Sequence, residues 1–96
     1  MSLRVVATIT AVPGSEQLLS DGLVELAAAT RTEAGCESYE LYRSVVDQAV
    51  FITVEQWTDQ DALDAHMQTP HMHAALAVVG DKLAAPPAIH PLEPLS

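Results

Sequence analysis

The hydrophobic and polar positions of this chain follow two different periods. A period of two, in segments rich in β-branched residues, predicts strands over residues 4–12, 36–45 and 50–57. A period of three to four predicts a helix that is capped by Ser15 and stops at Gly35. The inward stripe of this helix consists of Leu19, Leu23, Leu26 and Thr30. The first half of the chain is therefore expected to fold as strand, helix, strand, strand.

The second half adds an interrupted helical segment and a short final strand. Thr58 and Asp61 resemble a capping box, which predicts a helix that begins just past Trp57. Thr69-Pro70 interrupts that helix, and Thr69 is expected to cap a second one, because proline is tolerated at the first helical position. Residues 88–92 are flanked by prolines and suit an edge strand.

This order of elements, β-α-β-β-α-β, predicts one α+β domain over residues 1–96 with a ferredoxin-like fold. Asp47-Gln48 marks a hairpin, so the second and third strands are expected to be antiparallel neighbours. Such a sheet carries helices on one face, and a chain of this length has no further element for the other face. We therefore expect a homodimer in which a second copy covers that face.

Charge and composition exclude several classes of partner. Four Lys and Arg stand against 13 Asp and Glu, for a net charge of −9, which disfavours binding to nucleic acid or to an anionic membrane surface. No run approaches the roughly 18 apolar residues that a membrane span needs. Cys36 is the only cysteine, which fits a reducing compartment, and we expect a cytoplasmic protein.

The strand over residues 50–57 carries the first candidate site. Its alternation separates an almost wholly apolar face from a face that holds the only Phe and the only Trp of the chain. The second face consists of Phe51, Thr53, Glu55 and Trp57. Trp57 could stack on an aromatic substrate or pack in the core, and the pattern alone does not decide between them. Tyr42, on the neighbouring strand, is a candidate hydrogen-bond partner for a substrate oxygen, whereas Tyr39 is expected to pack.

Three histidines near the helix break form the second candidate group. His66 is the best candidate for a general base, since an imidazole titrates near neutrality; the alternative is a histidine hydrogen-bonded within the helix break. His71 follows the break and His73 is expected to face solvent. The gaps of five and two residues, with Pro70 between, differ from the i, i+4 pairs of zinc helices, so we expect no metal site among these histidines.

Six segments together resemble one known family. They are Val12-Pro13-Gly14, Glu33-Ala34-Gly35-Cys36, Tyr39-Glu40-Leu41, Phe51 through Trp57, Ala62-Leu63-Asp64-Ala65-His66 and Thr69-Pro70-His71. The pattern resembles the antibiotic biosynthesis monooxygenase family, which includes quinol-monooxygenase-like members of the dimeric α+β barrel superfamily. The resemblance implies a ferredoxin-like protomer, a dimer, and a pocket between sheet and helices.

Activities in this family include cofactor-free oxidation of phenols and quinols, haem degradation and isomerisation of small phosphorylated or oxo compounds. The haem-degrading branch has an Asn in the first strand and a His in the second helical segment, where this chain has Ala7 and a residue near Leu76. The cofactor-free oxygenases have a polar residue, usually Asn, and a Trp four apart on the third strand. Thr53 and Trp57 have that spacing.

These observations lead to one functional hypothesis and two alternatives. The hypothesis is a monooxygenase without cofactor or metal that oxidises a small phenolic, quinol or polyketide-like substrate with molecular oxygen. Its catalytic residues would be His66 and Trp57, and its substrate-binding residues Thr53, Glu55, Phe51, Tyr42 and His71. The alternatives are an isomerase of a small oxo compound and a non-catalytic dimeric module that binds a small molecule.

Overall fold

The computed structural model describes residues 2–96, and its order of elements matches the predicted one. The helical segment before the last strand is divided in two, as the Thr69-Pro70 break predicts. The elements are β1 (Leu3–Thr10), α1 (Glu16–Thr30), β2 (Cys36–Arg43), β3 (Val50–Trp57), α2 (Gln60–His66), α3 (Pro70–Val79), a 3-10 turn (Gly80–Lys82) and β4 (Ala88–Leu92).

All four strands form one antiparallel sheet in the order β2-β3-β1-β4. This is the strand order of a ferredoxin-like fold, so the predicted α+β class is confirmed. The β2–β3 hairpin is also confirmed, and Asp47 closes it by accepting backbone N–H groups from Ala49 and Val50. β4 is an edge strand, as its prolines predict. The sheet of one chain is open at both edges and does not close into a barrel.

The helices cover the face of the sheet that carries the buried residues of β1 and β3. The predicted inward stripe of α1 is confirmed, because all four of its members are buried. In β3, burial alternates along the strand, and Phe51, Thr53, Glu55 and Trp57 are the buried set. The polar and aromatic face of β3 therefore lies toward the helices.

One helix boundary differs from the prediction. α1 ends at Thr30, five residues before Gly35. Gly35 instead allows close packing against α2, since a Cβ atom at this position would lie 2.4 Å from Cβ of Ala62. Its carbonyl oxygen accepts a hydrogen bond of 2.9 Å from the backbone N–H of Thr58. Gly35 therefore allows the chain to pack closely against α2, and it does not end α1.

The two short helices are capped by side chains. Asp59, rather than Thr58, caps α2, and its carboxylate accepts the backbone N–H of Ala62 at 2.9 Å. Thr69 caps α3 as predicted and accepts the backbone N–H of Met72 at 3.3 Å. These caps hold the two helices on either side of a sharp corner.

The other face of the sheet has no covering element within residues 2–96. Ile52 and Val54 of β3 are half-buried on this face, and Tyr42 of β2 pairs with Ile52 and is 56% exposed. We refer to this surface as the open sheet face. None of the helices within residues 2–96 has the length and apolar character needed to cross a membrane.

Candidate active site

A cavity of about 160 Å³ lies between the sheet and the helices. Its lining is mainly aliphatic, with side chains from all the strands, from the three helices and from the segment before β4. The polar side chains that reach it are Tyr39, Thr53, Glu55 and His66. A protein cavity of roughly 150 Å³ can hold a benzene molecule, so this one has room for a single aromatic ring.

Glu55 places a buried carboxylate at the cavity wall. Thr53 donates its hydroxyl to Oε2 at 2.6 Å, and Trp57 donates its indole N–H to Oε1 at 2.9 Å. The three residues sit at i, i+2 and i+4 on one strand face, so the period of the strand builds the network. No ion pair within residues 2–96 involves Glu55, so these two hydrogen bonds are its main compensation for lost hydration.

Glu33 holds two histidines through one oxygen atom. Its Oε2 lies 2.8 Å from Nδ1 of His66 and 2.6 Å from Nε2 of His71. His66 is buried, whereas His71 is 28% exposed. We call these three residues the Glu33 cluster. It is the closest association of ionisable side chains in the described part of the chain.

The local sequence explains why the two histidines converge. His66 is the last residue of α2, and His71 follows Pro70 at the start of α3. Thr69 fixes the corner by donating its hydroxyl to the carbonyl of His66 at 2.8 Å while it caps α3. The helix break therefore turns both rings toward Glu33, in the turn between α1 and β2, which a continuous helix would not do.

His66 lines the cavity, and Nε2 is its one ring nitrogen without a side-chain hydrogen-bond partner among residues 2–96. With Nδ1 bound to the Glu33 carboxylate, the neutral ring carries its proton on Nδ1 and a lone pair on Nε2. No other side chain within residues 2–96 forms a hydrogen bond with this ring. The indole of Trp57 packs 4.8 Å from the imidazole, centroid to centroid, and fixes its orientation. His66 thus has the geometry of an oriented general base.

Tyr39 is a neutral hydrogen-bond donor in the cavity wall. Burial raises its pKa above the ordinary value, and the negative charge of Glu55 raises it further. Its phenol therefore stays protonated over the physiological range. Burial, followed by the charge of Glu33, also raises the pKa of the Cys36 thiol, which disfavours the nucleophilic thiolate.

The cavity brings together only some of the predicted site residues. His66, Thr53 and Glu55 line it. Trp57, for which the pattern leaves both stacking on a substrate and packing in the core open, is fully buried, donates to Glu55 and packs against His66. Phe51 packs in the core, with the guanidinium of Arg43 4.9 Å from its ring centroid. Neither aromatic ring can meet a molecule in the cavity without a rearrangement.

Two further candidate residues lie outside the main cavity. Tyr42 pairs with Ile52 and therefore lies on the open sheet face, and it does not line this cavity. His71 contacts Glu33, and it lines a separate depression between α1 and α3 instead of the main cavity. His73 is exposed as predicted and takes no part in the cluster of ionisable side chains, in which Glu33 joins His66 and His71.

Glu33 is the functional candidate that the sequence analysis did not single out. It lies in a turn, 33 residues before His66, and no period links the two. The only signal was its place in the Glu33-Ala34-Gly35-Cys36 segment, which contributed to the family resemblance. A carboxylate beside the close-packed Gly35 is positioned by tertiary contacts, and these are not visible in hydrophobic patterning.

The fold and the site together define a ferredoxin-like α+β protein with a ring-sized apolar cavity and acid–base side chains in its wall. The sequence model of the family described as "Antibiotic biosynthesis monooxygenase" matches residues 2–78. The chain belongs to this family, and the resemblance stated from its segments is confirmed.

Several relatives cover almost the full chain. The crystal structure of PA3566 from Pseudomonas aeruginosa has a TM-score of 0.91 and 36% identity, and covers 99% of this chain and 95% of that one. The structure of Rv0793 from Mycobacterium tuberculosis has a TM-score of 0.89 and 33% identity, and covers 100% and 97%. An Escherichia coli relative named "Probable quinol monooxygenase YgiN" is 32% identical and covers 84% of this chain and 88% of its own length.

The raised pKa of Tyr39 predicts a loss of stability at alkaline pH. In the unfolded chain the tyrosine ionises near its ordinary pKa of about 10, while the folded protein keeps it neutral. The contribution of Tyr39 to the free energy of unfolding is therefore complete below pH ~10 and decreases as the pH rises above that value. In urea unfolding between neutral pH and pH ~11, Tyr39→Phe should flatten the alkaline decline by about 1 kcal/mol, the value of a one-unit difference in pKa.

Tyr42→Phe is the matched control when both variants are compared at a dilution at which the chains are monomeric, because it removes the same hydroxyl from a side chain that is 56% exposed in the single chain. It should leave the alkaline decline unchanged. Equal slopes for Tyr39→Phe and the unaltered protein would contradict a buried, neutral Tyr39.

Proposed function

We propose that the protein is a cofactor-independent monooxygenase whose substrate is a small quinol, a single ring with two hydroxyl groups. The observation that carries the proposal is the presence of two proton acceptors, His66 and Glu55, in the wall of one ring-sized apolar cavity. A quinol offers two hydroxyl donors on a flat apolar body, which matches this lining. The names of the relatives, which include a monooxygenase of quinols, support the same class of reaction.

The volume of the cavity favours one ring over the larger polyketide-like substrates. About 160 Å³ accommodates a benzene-sized body with small substituents. The aliphatic lining, from residues such as Ile9, Leu26 and Val79, supplies contact area and keeps water from the ring. A fused multi-ring substrate would need the helices to move apart.

His66 would begin the reaction by removing one hydroxyl proton. Nε2 accepts that proton, and the resulting imidazolium is stabilised by its hydrogen bond to the Glu33 carboxylate. The second hydroxyl donates a hydrogen bond to Glu55, whose own bonds to Thr53 and Trp57 hold it in place. Glu33 and Trp57 are thus positioning residues, whereas His66 is the catalytic base.

The redox balance requires no external reductant. The deprotonated quinol is electron-rich and can itself transfer electrons to molecular oxygen. One oxygen atom forms a bond to a ring carbon and the other leaves as water, while the substrate gives up four electrons in all. For hydroquinone the products are hydroxybenzoquinone and one water molecule, which accounts for every atom of hydroquinone and oxygen.

The same pair of acceptors would also serve an isomerase that moves a proton on a small oxo compound. A phosphorylated substrate is disfavoured, because none of the residues that line the cavity is Lys or Arg. Oxygen dependence separates the two reactions, since an isomerase consumes no oxygen.

Oxygen uptake with a panel of single-ring hydroquinones tests the proposal. Without added metal or flavin, and with a metal chelator present, the protein should consume one oxygen molecule per quinol and form the hydroxylated quinone. His66→Ala should lower kcat/KM by at least about 100-fold, the usual contribution of a general base. His73→Ala, which removes an exposed imidazole from α3, is the matched control and should retain full activity.

Absence of uptake across the whole panel would reject the proposal, as would uptake that His66→Ala leaves unchanged. Turnover of an oxo compound without oxygen would identify the isomerase instead.

We also propose that the protein is a homodimer formed through the open sheet face. This face presents Ile52, Val54 and Tyr42 to solvent in the single chain, and no segment within residues 2–96 covers it. Packing a second, identical face against it would bury these side chains symmetrically, in agreement with the dimeric barrel that the family resemblance implies. The barrel would then close between two chains, since the sheet of one chain remains open.

Light scattering at micromolar protein concentration should therefore give twice the mass of one chain. Ile52→Asp should shift the mass toward that of a monomer, because it places a charge in the centre of the apolar contact. Val45→Asp is the matched control: Val45 is 93% exposed in the β2–β3 loop, outside the sheet. A stable monomer of the unaltered protein, or a dimer unaffected by Ile52→Asp, would contradict this interface.

A further inference from the structure

The Glu33 cluster has the composition and geometry of a metal site. One ligand atom from each of Glu33, His66 and His71 lies within 4.8 Å of the other two. Both imidazole contacts meet at the same carboxylate oxygen. We propose that these three residues bind a divalent transition-metal ion of the zinc type, which the spacing of the histidines alone does not predict.

The ligand chemistry fits this class of ion. Two imidazole nitrogens and one carboxylate oxygen form a set that binds Zn²⁺ with three protein ligands and leaves a fourth position for water. With bonds of about 2.0–2.1 Å, tetrahedral ligands lie roughly 3.3 Å apart. The present contacts of 2.8 Å and 2.6 Å would lengthen by roughly 0.5–0.7 Å as the metal replaces the shared protons. The two imidazole nitrogens, which lie within 4.8 Å of each other, would approach by at most about 1.5 Å.

The structural elements keep the ligands together without the ion. His66 closes α2, and His71 begins α3 beyond the corner that Thr69 fixes. Glu33 is held in its turn by backbone hydrogen bonds from its N–H to Thr30 and from the N–H of Cys36 to its carbonyl. A site whose ligands are already gathered pays less conformational entropy on binding.

Exposure and charge allow the ion to reach the site. His71 is 28% exposed and lines the depression between α1 and α3, while the Glu33 carboxylate is 13% exposed. An ion can therefore enter on the side of His71 without crossing the main cavity. The net charge of −9 favours the approach of any cation over that of an anion.

Occupancy of the site has a consequence for His66, and this step rests on the proposed function. A metal on Nδ1 leaves the second proton position of the ring at Nε2, so the nitrogen that faces the cavity becomes a donor. It can then no longer accept a proton from the quinol. Zinc is thus expected to inhibit oxygen uptake, and a chelator is expected to restore it.

Calorimetric titration of the untagged protein with zinc chloride tests the site independently of any activity. The unaltered protein should bind one Zn²⁺ per chain with a low-micromolar or tighter Kd. His71→Ala and Glu33→Gln should each weaken binding by at least about tenfold. His73→Ala and His90→Ala each remove an exposed histidine outside the cluster and are the matched controls that should bind as before.

Each outcome of the titration decides the proposal. Absence of saturable binding in the unaltered protein would overturn it, and so would equal affinity in His71→Ala or a comparable loss in either control. Circular dichroism of each variant verifies that the fold is retained, and the partial exposure of His71 and Glu33 favours this. If the protein binds zinc but oxidises no quinol, the proposed reaction is rejected and the metal site is supported. If it oxidises quinols in the presence of a chelator but binds no zinc, the metal site is rejected and the proposed reaction is supported.

Discussion

The site depends on a single carboxylate oxygen, Oε2 of Glu33, which contacts both His66 and His71. This contact determines which nitrogen of the buried His66 ring carries the proton and which one is available to the cavity. It also joins the end of α2 to the start of α3 and to the turn before β2. This contact is the only side-chain hydrogen bond to the His66 ring among residues 2–96, so the orientation of that ring depends on it.

The two buried or half-buried carboxylates of the site have different partners and different tasks. Glu55 accepts bonds from a hydroxyl and an indole, both neutral, inside an apolar wall. Glu33 contacts two imidazoles nearer the surface. Burial raises the pKa of Tyr39, and the charge of Glu55, which its neutral donors do not cancel, raises it further, so that phenol stays protonated. The cavity therefore holds an acceptor, a base and a neutral donor around one ring-sized space.

The parts of the fold that rest on periodicity could be predicted from the sequence. The alternation of β3 placed Thr53, Glu55 and Trp57 on one face, and the structure shows that face toward the helices. Alternation defines two faces of a strand without saying which one the helices cover, so the sequence does not show on which side of the sheet Tyr42 lies. The register of Tyr42 with Ile52 decides that question. Glu33 lies in a turn that tertiary packing positions, so neither its role nor its contact with two histidines follows from any local pattern.

Glu33 holds His66 with its proton on Nδ1 and a free lone pair on Nε2. Long-range proton–nitrogen NMR correlation of the His66 ring, in chelator-treated protein without substrate, measures this directly for the neutral ring. We expect the chemical shift of a protonated nitrogen at Nδ1 and that of an unprotonated nitrogen at Nε2, with the preference lost in Glu33→Ala, which removes the acceptor. A neutral ring with its proton on Nε2 would contradict the account.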